Sequence, residues 1–218
     1  MVGSLVYAMT CTRPDLSSIV TKLSQHLENP SCVDLVMLKH VFRYLIGTIH
    51  YKLTFRKVDN IKLIGYTDAD WGNYPDRKSI SGYYFTMSDN GPAISWKSKK
   101  QATVALSSCE AEYMALSLAS QEAIYLSMLI KDLLLLDVHP VKLYVDNQGA
   151  ISLAKNPVNH ARSKHIDIRY NFVRDHVRKK KIEIEYVSTE RNVADLMTKP
   201  FSKQKIRIFK DLFFGIGR

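Results

Sequence analysis

The segment GYYFTMSDNGPAISWK, residues 82–97, is the strongest indicator of the fold in this sequence. Residues 82–87 and 93–97 form two short runs rich in aromatic and apolar side chains, and the segment Asp89-Asn90-Gly91-Pro92 separates them. An Asn-Gly pair between two such runs is a strong signal for a β-hairpin. The sequence therefore predicts two antiparallel neighbours within a sheet.

Regular elements flank this hairpin on both sides. An apolar run over residues 61–68 predicts a strand before it, and Ser107 with Glu110 three positions later has the capping-box spacing that opens a long helix. Strands at 141–145 and 182–187 follow, with helices near 149–155, 165–177 and after 193. This order predicts an α/β fold, a mixed five-stranded sheet with flanking helices.

The first 58 residues follow a different pattern. Pro14 opens a helical stretch that Asn29-Pro30 ends, and Ser31 caps a second helix that ends at Gly47. Residues 51–56 alternate between apolar and polar side chains, which predicts a half-buried strand. Two helices and one strand bury little surface alone, so we expect this short helical segment to lean on the rest of the chain.

The charge of the chain is unevenly distributed. Lys and Arg number 31 against 21 Asp and Glu, a net charge of +10, and the last 59 positions hold 15 basic and 7 acidic residues. A concentrated basic surface favours a polyanionic partner such as a nucleic acid. Within this region the run 178–181 is either a phosphate-contacting loop, a nuclear-localisation run or a solvated connection.

Cysteine usage and hydropathy indicate the compartment. The three cysteines lie far apart without a CxxC pair, which predicts reduced thiols rather than disulfides or a zinc site. The N-terminus lacks the pattern of a signal peptide, and the most apolar run, 123–130, is too short to span a bilayer. We therefore expect a cytoplasmic or nuclear protein that is not secreted and has no membrane partner.

Four carboxylates occupy informative positions. Asp68 and Asp146 follow apolar strand patterns, whereas Glu112 and Asp195 lie in the first turns of predicted helices. Carboxylates at the ends of buried strands converge at one edge of an α/β sheet. Such oxygen ligands suit Mg²⁺ or Mn²⁺ rather than zinc, and two ions about 3.5–4 Å apart are the usual clamp for phosphoryl displacement. An acid at a helix start is also a favourable dipole contact by itself.

Seven motifs come in order and with consistent spacing: YTDADW (66–71), DRKSISGY (76–83), ISWKSKKQ (94–101), VALSSCEAEYMAL (104–116), YVDNQGAI (144–151), RSKHIDIRYNFVRD (162–175) and NVADLMTKP (192–200). They resemble the ribonuclease H domain of copia-type retrotransposon Pol polyproteins. VGSLVYAMTCTRPDL (2–16) and FRYLIGT (42–48) resemble the segment that joins reverse transcriptase to it. The resemblance implies a remnant of that segment at 1–58, a ribonuclease H-like domain at 59–200 and a basic, apolar C-terminal helix at 201–218.

The resemblance also implies a function. It is that of a metal-dependent endonuclease that hydrolyses the RNA strand of RNA–DNA hybrids, as a C-terminal fragment of a retrotransposon polyprotein. Matched by motif, two Mg²⁺ ions, or Mn²⁺, would be held by Asp68, Glu112, Asp146 and Asp195, which are the implied catalytic residues. The implied partners are the hybrid and other Pol parts such as reverse transcriptase. No Tyr-x-Asp-Asp polymerase motif occurs, so we expect no DNA synthesis by this chain alone.

The sequence allows two interpretations for the role of several residues. Glu110 competes with Glu112 for the ligand position, although the capping-box spacing gives Glu110 a local structural use. Asp70 shares a strand face with Asp68, and we expect it beside the ligands. Four polar residues are either contacts to nucleic acid, through phosphates or a 2′-hydroxyl, or ordinary turn and helix-start residues: Gln148, Arg162, Lys164 and His165.

Two other functions stay open. In one, the chain is a catalytically silent relic that binds nucleic acid without cutting it. In the other, it is a docking subunit of a polymerase fragment. Hybrid binding without metal or cleavage would favour the relic, and exposed apolar surface on the first two helices would favour docking.

Overall fold

The computed structural model describes residues 1–89, 91–156 and 164–200, together with Ile206, Phe209, Lys210 and Phe214; for residues 164–168 it describes the backbone alone. The strands are β1 Ile64–Asp70, β2 Ile80–Thr86, β3 Ala93–Lys100, β4 Val141–Val145 and β5 Ile182–Tyr186. The helices are α1 Val2–Cys11, α2 Ser17–Ser24, α3 Cys32–Gly47, α4 Ser108–Leu134, α5 Gln148–Lys155, α6 Lys164–Arg178 and α7 Asp195–Thr198, with a 3₁₀ turn at Pro14–Leu16. Across these described ranges, every helix is too short or too polar to cross a membrane.

The five strands form one mixed sheet in the order β3-β2-β1-β4-β5. The three strands β1, β2 and β3 pair antiparallel, while β1 with β4 and β4 with β5 pair parallel. The predicted hairpin and the predicted α/β fold, a mixed five-stranded sheet with flanking helices, are therefore confirmed. Asn90, in the predicted turn, lies outside the described residues.

Helices α4, α5 and α6 cover one face of the sheet. The core on this face joins strand residues such as Phe85, Leu143 and Ile184 to Leu116 of α4 and Val173 of α6, each at most 1% exposed. Burying an apolar side chain of this size contributes about 1.5–3 kcal/mol. This layer fixes the position of α4 against the centre of the sheet.

Helix α7 packs against the other face, where it comes unusually close to β2. A Cβ atom at Gly82 would lie 2.6 Å from Met197 Cβ and 2.7 Å from Thr198 Cγ2. Gly82 is also the register partner of Asp68 across β1 and β2. The missing side chain therefore lets α7 approach the strand pair that carries Asp68.

The N-terminal helices form a smaller apolar cluster that leans on the rest of the chain, as expected. Leu5, Val20 and Val41 are buried within it, and α2 packs against both α7 and β3. Trp96 Nε1 of β3 donates a hydrogen bond to the Met9 carbonyl oxygen at 2.8 Å. The division of the chain at residues 58 and 200 stays a prediction, and most of 201–218 lies outside the described residues.

One sequence expectation for this segment is wrong, because residues 51–56 do not form a strand. The structure also has helix α1, for which the sequence analysis made no prediction. Tyr51 and Leu53 pack against an apolar cluster that includes Phe214, and Thr54 N donates to the Phe214 carbonyl oxygen at 2.8 Å. Tyr51 and Leu53 are thus half-buried without a partner strand, whereas Phe55 is 61% exposed.

Candidate metal and nucleic-acid site

Two of the predicted carboxylates lie at the same edge of the sheet because their strands run parallel. Asp68 is near the end of β1, and Asp146 directly follows β4. The register pairs Thr67 with Val145, so Asp68 and Asp146 come one position later on neighbouring strands. Asn147 then starts α5, since its side chain accepts a hydrogen bond from Ala150 N at 3.0 Å.

Glu112 reaches the same edge from helix α4. The helix lies close to β1 because small side chains line the contact, among them Ala69 of β1 with Ala111 and Ala115 of α4. This close packing brings the first turn of α4 to the end of β1. Glu112 is 7% exposed and Asp68 is 1% exposed, so both carboxylates are buried.

The three carboxylates form one compact cluster. Asp68, Glu112 and Asp146 each offer an oxygen, and these oxygens lie within 4.8 Å of one another. Asp68 Oδ1 and Glu112 Oε2 are buried and have no hydrogen-bond partner among the described residues. Buried carboxylate oxygens without partners are costly unless a cation or donor satisfies them.

The structure separates the two glutamates that the sequence left open. Glu110 N donates to the Ser107 side chain at 3.2 Å, and Glu110 Oε2 accepts from Leu106 N at 2.9 Å. Glu110 therefore holds the start of α4, whereas Glu112 belongs to the cluster.

Asp195, the fourth predicted carboxylate, lies beside the cluster but is not one of its three members. It is 2% exposed, and Lys199 Nζ contacts its Oδ1 at 2.6 Å. Lys199 Nζ also lies 3.5 Å from Asp68 Oδ2, and the Thr198 hydroxyl donates to that same oxygen. Helix α7 and the residue that follows it thus bring a carboxylate, a hydroxyl and an ammonium group to the edge of the cluster.

Asp70 lies next to these groups, as the strand alternation predicts. It is partly buried, its Oδ1 accepts a hydrogen bond from Asn73 Nδ2, and burial raises its pKa. Asp70 is not a member of the cluster formed by Asp68, Glu112 and Asp146.

Burial and crowding shift the pKa values of the cluster. Loss of water, together with the charges of Asp68 and Asp146, raises the pKa of Glu112 to about 9. Burial likewise raises the pKa of Asp68 to about 6, against the opposing charge of Lys199. Burial alone would lower the pKa of Lys199, but the charges of Asp68 and Asp195 outweigh it and raise that pKa.

We expect the free energy of unfolding of the metal-free chain to fall as the pH rises from about 5 to 9. Over this range folded Glu112 keeps a proton that the unfolded chain releases, because its pKa is about 9 in the fold and 4.5 otherwise. Glu112→Gln should flatten the decline and stabilise the chain at pH 9 by at least about 1 kcal/mol. Urea unfolding in EDTA at pH 5, 7 and 9 measures this.

The matched control is Glu110→Gln. In this variant the free energy of unfolding should fall with pH as steeply as in the wild type, because Glu112 is still present. An equally steep fall in Glu112→Gln would contradict the burial of Glu112 among like charges.

A basic cleft opens at the same edge of the sheet. Lys100 ends β3 and pairs with Ile80, which in turn pairs with Asp70. The cleft has a volume of about 160 Å³, and its lining includes Lys99, Lys100 and Arg169. Two buried polar atoms in its lining, Gln101 Oε1 and Ser117 Oγ, have no hydrogen-bond partner within the described part of the chain.

The basic run 178–181 is at the opposite edge. It leads into β5, where Ile182 pairs with Val141 at the start of β4, whereas Asp146 follows the end of β4. Arg178 and Lys179 also pair with Asp175 on their own helix. This run is therefore far from the carboxylates along the strand direction.

The remaining predicted contacts have different outcomes. Gln148 is exposed at the first position of α5, next to Asp146, while Asn147 caps the helix. Arg162 lies outside the described residues. Lys164 and His165 fall in the first turn of α6, where only the backbone is described.

Sequence reasoning missed three contributors from the last motif: Asn192, Thr198 and Lys199. Asn192 is fully buried, and its side-chain amide donates to the Thr67 carbonyl oxygen at 2.9 Å, which ties the loop before α7 to β1. The position of Lys199 four residues after Asp195 was the available signal, because that spacing places two helical side chains together.

The chain is similar to longer proteins. It is 45% identical over 212 residues to the retrovirus-related Pol polyprotein from transposon TNT 1-94 of Nicotiana tabacum, a match over 97% of this chain and 16% of that protein. It is 40% identical over 210 residues to the one from transposon RE2 of Arabidopsis thaliana, over 96% of this chain and 14% of that protein. The chain thus spans under a fifth of the length of these relatives.

A shorter relative and a solved structure also match. Secreted RxLR effector protein 161 of Plasmopara viticola is 51% identical over 128 residues, which are 58% of this chain and 89% of that protein. The crystal structure of LC11-RNase H1 in complex with RNA/DNA hybrid aligns at a TM-score of 0.47 and 18% identity, over 63% of this chain and 94% of that chain. No protein-family model matches.

Proposed function

Because the chain belongs to the copia-type retrotransposon Pol polyproteins, we propose that it is a metal-dependent endonuclease that cleaves the RNA strand of RNA–DNA hybrids. A nuclease of the ribonuclease H kind is what its fold and its relatives support. The observation that supports metal-dependent cleavage is the cluster of Asp68, Glu112 and Asp146 at one edge of the sheet, whose carboxylate oxygens lie within 4.8 Å of one another.

The cluster fits a divalent cation. Its donors are carboxylate oxygens, the ligands that Mg²⁺ and Mn²⁺ prefer. Asp68 Oδ1 and Glu112 Oε2, without partners among the residues the structure describes, are the atoms that a cation would satisfy. Asp68, Glu112 and Asp146 would hold it, with Asp195 beside them. Bound there, divalent ions activate a water nucleophile and stabilise the leaving oxygen of a phosphodiester.

The chain's own residues prepare these ligands. The Thr198 hydroxyl and Lys199 occupy the Oδ2 side of Asp68, which leaves Oδ1 free. The hydrogen bond from Asn192 to the Thr67 carbonyl oxygen fixes the loop before α7 to β1, and Asp195 is the first residue of that helix. These contacts hold the carboxylates in place before a substrate arrives, which lowers the cost of ordering them during reaction.

The basic cleft supports a nucleic-acid substrate. Lys99 is exposed on β3 and Arg169 is partly exposed on α6, and both border the edge of the sheet that carries the cluster. Lysine and arginine neutralise backbone phosphates, which dominate the affinity for nucleic acids. When one strand of a duplex lies at the carboxylates, this cleft would contact phosphates of the other strand.

The test is cleavage of an end-labelled RNA–DNA hybrid by the purified chain, with Mg²⁺ and then with EDTA. We expect cuts in the RNA strand alone, lost with EDTA and recovered when Mg²⁺ is added in excess. Hybrid binding without cleavage in Mg²⁺ would overturn the proposal in favour of the silent relic.

Hybrid binding should weaken steeply with salt, because bound phosphates release counterions. The double substitution Lys99→Ala with Arg169→Ala should weaken binding and lower the slope of log affinity against log salt by about 2. Fluorescence anisotropy with a labelled hybrid in EDTA measures both.

The control for this prediction carries the same charge change at the opposite edge. Lys179→Ala with Lys180→Ala should leave the slope close to that of the wild type. A loss of slope in the control alone would move the nucleic-acid surface to the run 178–181.

One observation favours an additional docking role. Helix α3 and the residues after it expose large apolar side chains, with Val33 66%, Val36 53%, Ile46 75% and Ile49 84% exposed. The partner would be the reverse-transcriptase part of the same polyprotein. Val33→Asp with Val36→Asp should lower binding to that part while the isolated chain still cleaves hybrid.

We also propose a cytoplasmic or nuclear location. No disulfide joins Cys11, Cys32 and Cys109 in the described structure, which suits a reducing compartment. Imaging of the tagged chain in living eukaryotic cells tests the location.

A further inference from the structure

Lys199 contacts Asp195 and one member of the carboxylate cluster at the same time. Its Nζ is 2.6 Å from Asp195 Oδ1 and 3.5 Å from Asp68 Oδ2, so a single ammonium group bridges two buried acids. The two acids are 2% and 1% exposed as side chains, whereas the lysine side chain is 36% exposed. The protein itself therefore supplies one positive charge to this side of the site.

The other side of the site has no such cation. Glu112 and Asp146 have no salt bridge to a lysine, arginine or histidine anywhere in the ranges the structure describes. The unpartnered oxygens, Asp68 Oδ1 and Glu112 Oε2, belong to this side. Lys199 therefore contacts Asp195 and the Oδ2 side of Asp68. The Oδ1 side of Asp68, together with Glu112 and Asp146, has no lysine, arginine or histidine in contact among the described residues.

We propose that Lys199 is the resident cation on the Asp195 side of the site, so that the substrate-free chain binds one divalent ion, at Asp68, Glu112 and Asp146. A second ion enters only when Lys199 leaves Asp195. The partial exposure of Lys199 gives it a route outward, and a phosphate of the substrate offers an alternative partner for its ammonium group. This inference rests on the proposed metal-dependent function.

The test counts ions without measuring cleavage. Isothermal titration of the metal-free chain with Mn²⁺, checked by electron paramagnetic resonance of free Mn²⁺, should give one ion per wild-type chain. Lys199→Met should bind two, with the first held at least about tenfold more tightly, because the nearby positive charge is gone. Lys199→Arg keeps the charge and should bind one.

A matched control lysine lies elsewhere on the sheet. Lys142 contacts Glu185 at 2.6 Å and Glu183 at 3.9 Å, so it too sits between two carboxylates. Lys142→Met should still bind a single ion with the affinity of the wild type. Circular dichroism establishes that each variant is folded.

The outcomes distinguish this inference from the function on which it rests. Two ions of similar affinity in the wild type would overturn the role of Lys199 and leave the metal site standing, and this result does not require any variant to fold. No Mn²⁺ binding in the wild type would overturn both. One ion in folded Lys199→Met would show that Lys199 only supports α7, and the inference would be wrong.

Discussion

Asp146→Asn is expected to lower the rate of RNA-strand cleavage by at least about a thousandfold, or about 4 kcal/mol of activation free energy, while the fold is kept. Asparagine has the shape of aspartate but lacks its charge, and Asp146 is one of three carboxylates whose oxygens lie within 4.8 Å. Single-turnover cleavage of the hybrid in Mg²⁺ measures the rate. Urea unfolding measures the stability, which should rise because one of the crowded like charges is removed.

Asp132→Asn is the matched control for this substitution. Asp132 is exposed near the C-terminal end of α4, far along the helix from Glu112, so its replacement should leave the rate within about twofold of the wild type. If Asp146→Asn kept most of its activity, the assignment of the site would be wrong.

Gly82→Ala should damage both stability and cleavage. The added Cβ would lie 2.6 Å from Met197 Cβ and 2.7 Å from Thr198 Cγ2, and neither atom is the free end of a flexible side chain. Helix α7 would have to move away from β2, which costs about 1–3 kcal/mol. The same movement displaces Asp195 and Lys199, and a misplacement of about 1 Å lowers a reaction rate about a hundredfold.

The control is Gly47→Ala, since a Cβ at Gly47 meets nothing within 4 Å. That variant should unfold at the urea concentration of the wild type or slightly above it and cleave at an unchanged rate. A Gly82→Ala chain with normal stability and cleavage would mean that α7 does not need its close approach to β2.

The sequence predicted those parts of the fold that depend on local patterns. Hairpin strands, the cap at Ser107 and the strand before Asp146 follow from residues near one another along the chain. The strand over 51–56 failed because alternation shows only that Tyr51 and Leu53 face an apolar cluster. Whether a neighbouring strand exists depends on residues far away.

The motifs selected four acids as site candidates, and the structure places three of them in one cluster. The capping-box spacing already favoured Glu112 over Glu110. The position of Asp195 beside the cluster, in contact with Lys199, could not be read from the sequence because it depends on how closely α7 packs. That distance is set by the absent side chain of Gly82, which has no signal in a hydropathy pattern.

The contacts that complete the site join the most distant parts of the chain. Thr198 and Asp68 are 130 positions apart, and Asn192 and Thr67 are 125 positions apart. Contacts of such length close late, because the chain must first lose the entropy of a long loop. The three clustered acids also precede Lys199 in the sequence, so they are synthesised well before it. A chain interrupted before residue 195 would hold crowded carboxylates without their lysine, and we expect its folding to depend on divalent metal more strongly than that of the whole chain.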